Sequence, residues 1–214
     1  MALSKVNFNS MNVTPSASKA IKFNSSNNGL ETGDLGGSLV LISTQTASSS
    51  STIDFTSGID SSYKEYIFKF IDIHPSADGA NFEFQSDTGT NTNYNQTITS
   101  TYFNASHDEA DTSTGLNYSP AQDLAQSTNF KRIASGQDND NDSCVVGTLH
   151  VFEPSSTTFV KHFICTTQMV YNSAYSAENF TAGYFNTTTA LTRFRFKFSS
   201  GNIDAGTIKM YGVN

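Results

Sequence analysis

The chain has 214 residues, a size at which an all-β sandwich commonly forms one domain with a sizeable core. Charged residues are only 14%, the net charge is −7, and Arg132, Arg193 and Arg195 are the only arginines, so a phosphate-tracking surface is missing and nucleic acid is not an expected partner. No apolar run reaches membrane-spanning length and the first residues lack the apolar core of a signal peptide, so neither membrane insertion nor export is expected.

Hydrophobic content is a modest 36%, but 17 Phe carry much of it, and each buried ring removes a large apolar area from water. Ser, Thr and Asn stand where charges usually would. Uncharged polar groups are cheaper to desolvate than ions, which suits turns, strand edges and surfaces that meet other subunits.

Residues 1–37 differ from the rest. They hold Pro15, several Ser and Asn, and Gly29, Gly33, Gly36 and Gly37. Their apolar stretches are too short to bury themselves, so the segment reads as an extended arm that orders on a partner. Val6, Phe8, Met11, Val13, Ile21 and Phe23 are the residues that would fill shallow grooves there, with 29–37 as the hinge.

Residues 38–214 read as one β-domain. Residues 39–46 and 51–55 are strands around a Ser-rich turn. Residues 63–73 form the longest strand, with Tyr66, Phe68 and Phe70 on one face and Ile67, Ile71 and Ile73 on the other. Pro75 ends it, having no amide hydrogen for a ladder. Strands follow at 81–85 and 96–103, then a polar irregular stretch, 104–128, with a helical turn at 121–126. Further strands are expected at 130–134, 143–152, 158–171, 180–185, 191–198 and 207–212. In Leu191–Phe198, Phe194, Phe196 and Phe198 alternate with Arg193, Arg195 and Lys197, a greasy inside against a wet outside. About ten strands separated by turn signals predict an antiparallel two-sheet β-sandwich of jelly-roll type, with an extended N-terminal arm.

Chemistry is sparse. There is no Gly-x-Ser-x-Gly elbow and no phosphate-binding Gly loop, so no catalytic residues, cofactor or metal ligands are assigned. Cys144 and Cys165 flank a hairpin with its turn near Pro154-Ser155-Ser156, which would place two reduced thiols on neighbouring strands, with His150 and His162 facing each other. Asp138-Asn-Asp-Asn-Asp142 has carboxylates at alternate positions like a calcium loop. Ser143 stands where the sharp-turn Gly belongs and Leu149 where the bidentate Glu would be, so it reads as a polar turn. Tyr94, Tyr102, Tyr118 and Tyr175 sit in or near loops. Their rings could stack on sugar faces, which makes a carbohydrate- or receptor-binding module the alternative reading.

Several stretches resemble a group of virion structural proteins of marine tailed phages. They are Phe55-Thr-Ser-Gly-Ile-Asp60, Tyr63-Lys-Glu-Tyr-Ile-Phe-Lys-Phe-Ile-Asp-Ile-His-Pro75, Asp123-Leu-Ala-Gln-Ser-Thr128, Leu149-His-Val-Phe-Glu-Pro-Ser-Ser-Thr-Thr158 and Ala182-Gly-Tyr-Phe-Asn186. The ending Ser200-Gly-Asn-Ile-Asp-Ala-Gly-Thr-Ile-Lys-Met-Tyr-Gly212 carries the resemblance furthest. It implies a non-enzymatic particle component, a tail fibre or appendage or a capsid decoration, made in the host cytoplasm and built into the virion. Its partners would be other virion proteins and its own copies in a trimer, to which the loop tyrosines add a host surface glycan as a candidate. Closed symmetry would also hide sheet edges.

Overall fold

A computed structural model describes residues 13, 14, 16, 19–33, 38–171 and 174–214, which fall into two compact units divided at Ser38–Leu39. In the first, β1 (Ala20–Phe23) pairs antiparallel with β2 (Leu30–Gly33), joined by a turn in which the Asn24 amide donates to Asn28 Oδ1 at 2.9 Å. This stretch is therefore a hairpin rather than simply extended, and Gly29 and Gly33 belong to it instead of to a hinge.

The second unit is all-β and antiparallel. Its strands are β3 (Leu39–Thr46), β4 (Ile53–Phe55), β5 (Glu65–Pro75), β6 (Ala80–Thr88), β7 (Ile98–Asp108), β8 (Thr114–Tyr118), β9 (Lys131–Gln137), β10 (Val145–Phe152), β11 (Lys161–Tyr171), β12 (Tyr175–Phe185), β13 (Leu191–Phe198) and β14 (Ile203–Val213). They make one 12-stranded sheet that curls until it is nearly closed. One run is β3-β14-β5-β10-β11-β12-β7-β8 and the other is β9-β6-β13-β4, joined by the single pair Tyr171↔Gln137.

The two runs face each other across a phenylalanine core. Phe68 of β5 lies 5.1 Å from Phe194 and 5.2 Å from Phe196 of β13, and Phe70 is 5.4 Å from Phe196. Phe84 of β6 meets Phe163 of β11 edge-on at 5.2 Å. The alternation seen in Leu191–Phe198 does put Phe194, Phe196 and Phe198 inside.

The faces of β5 need correcting. Ile73 is buried with Phe68 and Phe70 rather than on the opposite face with Ile67. The cause is a β-bulge: β5 carries an extra residue against both β10 and β14, and Asp72 there has φ 52°. One added residue flips everything beyond it to the other face. Gly206 of β14 lies alongside, with φ 117°, and a Cβ on it would stand 2.5 Å from the Asp72 carbonyl oxygen.

Residues 104–128 are less irregular than expected. β7 runs on to Asp108, and its partner β8 supplies the last strand of its run. Asp108 makes the turn by accepting from the Thr112 and Ser113 amides at 2.9 and 2.8 Å. A short 3-10 turn, Pro120–Gln122, follows.

Candidate functional site

The cysteines do not oppose each other. Val151↔Phe163 is the last pair of the β10–β11 hairpin, so the hairpin centres on Thr157 and not on Pro154-Ser155-Ser156. That register sets Cys165 against Leu149, while Cys144, before β10, lies 3.8 Å from the Asp72 carboxylate. Both thiols are free, and burial raises the pKa of each. Likewise His150 pairs with Ile164 and reaches Glu65 of β5, at 2.5 Å, while His162 pairs with Tyr184. Among the described residues no three His, Cys, Asp or Glu side chains converge as metal ligands. In the Asp138–Asp142 turn, Asp138 accepts from the Asp140 amide at 2.9 Å, and the Asp140 carbonyl accepts from the Ser143 amide at 2.8 Å.

The four tyrosines separate into three environments. Tyr94 is buried in a loop folded over the outer side of β13. The Arg195 guanidinium lies 4.0 Å above its ring and forks onto Asp54 at 2.8 and 2.6 Å. Asp87 latches the loop, accepting from the Tyr94 amide at 2.8 Å and the Gln96 side chain at 3.1 Å. Lys197 lies 4.6 Å from the Phe130 ring. The basic row of β13 is thus largely taken up within the chain rather than left as a solvated face, and Tyr94 has no free ring face to offer a sugar. Tyr118 is exposed and donates its phenol to Asp123.

Tyr102 and Tyr175 do come together. They line a cavity of about 250 Å³ on the inner side of β7, β12 and β11, walled also by Ser135 of β9 and by Ser119 and Gln122 of the segment after β8. Met169, Ala177 and Asn179 are its buried floor. The Tyr102 hydroxyl donates to Asn179 Oδ1, and the Asn179 amide donates to Thr167 Oγ1 at 3.2 Å, so the floor is tied rigidly to the core. Burial pushes the Tyr102 phenol well above its ordinary pKa. Tyr171 stands edge-on to Tyr175 with ring centres 6.3 Å apart. Gly136 of β9, at φ 75°, makes room for the Tyr171 ring, since a Cβ there would come within 2.3 Å of it. Sequence reading missed Tyr171, which sits at the end of a strand, and the amides around it. Their convergence depends on β7, β9 and β12, distant in sequence.

A second surface is the outer face of the longer run. One register row crosses seven strands: Leu41, Tyr211, Ile67, His150, Ile164, Ala182 and Thr101. Leu41 and Ile164 are 52% and 53% exposed. At the β8 end the row adjoins Phe103, stacked on Phe180 at 4.7 Å, with Leu116 75% exposed beside them.

Of the proposed attachment residues, Phe23 is 69% and Ile21 38% exposed, and Val13 is half-buried; Val6, Phe8 and Met11 lie outside the described residues. No protein-family model, curated protein or solved structure matches this chain.

Proposed function

We propose that the protein is a non-enzymatic structural component of a tailed-phage particle, an external tail appendage or capsid decoration. The observation that carries this reading is the apolar row on the outer face of the β-domain. His150, held by Glu65, interrupts the row, but Leu41, Ile164, Phe103 and Leu116 expose large apolar side chains on this one face, and apolar surface gathered in this way marks association surfaces. The low share of charged residues and the likeness to virion proteins support the same reading. The row is the surface through which three copies associate, and closed symmetry protects the outer edges of β3 and β8 as well.

The finer architecture belongs to this proposal. The two strand runs packed over the phenylalanine core support a two-sheet sandwich. Most connections pass from one run to the other, which supports jelly-roll-like wiring.

The N-terminal segment is the attachment device, with Ile21 and Phe23 of its hairpin set into a groove of a neighbouring virion protein. Deletion of residues 1–37 tests it. The remaining β-domain is expected to keep its β-type circular dichroism and to be lost from purified particles. Incorporation of the truncated protein at the normal level would move attachment onto the β-domain.

A further inference from the structure

We propose that the cavity between β7, β12 and β9 is a recognition site for one neutral pyranose ring. This goes beyond a role in particle architecture and does not depend on it.

The chemistry of the walls selects the ligand class. The side-chain polar groups of Asn104, Ser106, Ser119 and Gln122 face the cavity and have no hydrogen-bond partner among the described residues. Unspent donors and acceptors beside a core-like floor call for a partner that supplies several hydroxyls at once. A carboxamide offers a donor and an acceptor side by side, which matches neighbouring hydroxyls on a sugar ring. The Tyr171 and Tyr175 rings, 87° apart, add apolar faces on which the C–H side of a pyranose can rest.

Charge excludes the ionic small-ligand classes. Among the described residues no carboxylate, amine or imidazole lines the cavity. The neighbouring cation, Lys131, is already committed, donating to the Gln122 carbonyl at 2.6 Å and lying 5.3 Å from the Tyr102 ring. A phosphate, a sulfate or an amine would find no counter-charge. Size narrows the choice again. At about 250 Å³ the cavity is below the roughly 300–1,000 Å³ of pockets that enclose drug-sized ligands, so it takes one ring, with the rest of a glycan leading out to solvent.

The test is titration of the full chain with the methyl glycosides of glucose, galactose, mannose and N-acetylglucosamine, followed by ligand-detected NMR and calorimetry. At least one should bind with one-to-one stoichiometry and a millimolar or tighter Kd. Asn104→Ala and Tyr175→Ala should each weaken it about ten-fold, while Tyr184→Ala, on the outer face of β12, should leave it unchanged. Gln122→Ala, in the exposed 3-10 turn, replaces Tyr175→Ala if that variant does not fold. Absence of binding by all four glycosides at tens of millimolar would overturn the proposal. So would binding that Asn104→Ala and its companion leave untouched. Incorporation into particles should be normal in every variant, so failure here is separable from failure of the particle role.

Discussion

Phe196 meets five other phenylalanine rings, Phe55, Phe68, Phe70, Phe82 and Phe84, at centre distances of 5.2 to 6.2 Å. Phe55, Phe82 and Phe84 belong to its own strand run, and Phe68 and Phe70 to the facing one, so its ring sits at the centre of the core. Phe196→Ala should therefore cost about 3–5 kcal/mol in equilibrium unfolding, and a variant as stable as the parent would contradict the core described above. Lys131 carries a different signature. Its burial lowers the ammonium pKa to about 8 from the usual 10.5. Between those values the unfolded chain binds the extra proton and the folded chain does not, so stability rises with pH across this window. Below it the cost of burying the charge is fully present. Relative to Lys131→Met, the parent should gain about 2 kcal/mol between about pH 7.5 and 9.5, and parallel pH profiles would refute the assignment. Phe196 was legible in the sequence because alternation holds from Arg193 to Phe198, beyond the extra residue at the start of β13. Lys131 was not, because nothing local says that the 3-10 turn will close over it. Tyr94 was misread for a related reason. A tyrosine in a polar loop looks exposed until Arg195 and Asp87 hold that loop down.

Strands were legible as apolar runs between turn signals, but the facing of their side chains was lost where an extra residue breaks period two. β3 and β13 have the bounds the sequence predicts, although each carries an extra residue, at Ile42 and at Thr192. In β5 the bulge at Asp72 sends Ile73 into the core, and no hydrophobic pattern announces such an insertion. The bulge depends on Gly206 across from it, where both the positive φ and the close Asp72 carbonyl exclude a Cβ. Gly206→Ala should thus cost about 1–3 kcal/mol in chemical denaturation. A neutral outcome would mean that β14 can shift away, and that the bulge does not constrain the sheet. The hairpin of β10 and β11 shows the same limit. Its register follows from its pairing with neighbouring strands and not from the one turn signal at Pro154, which is why Cys144 and Cys165 end up apart. β8 escaped notice because its side chains are mostly exposed and carry almost no core signal.

For the whole molecule, the sequence conveyed the all-β class and a low share of charged residues. The apolar row itself needed the register of seven strands and could not be read from any one of them. If that row joins three copies, the parent should be trimeric in light scattering at micromolar concentration. Ile164→Glu, an exposed change near the middle of the row, should yield a monomer with stability within about 0.5 kcal/mol of the parent. A monomeric parent, or a trimer indifferent to this substitution, would remove the row from the interface. The most direct test of the central claim is cryo-EM of intact particles from infected cells. The account predicts density for the β-domain on the outside of the head or tail, in groups of three, joined to the particle through the N-terminal segment. Particles that lack the protein altogether, or that hold it only inside the shell, would contradict it.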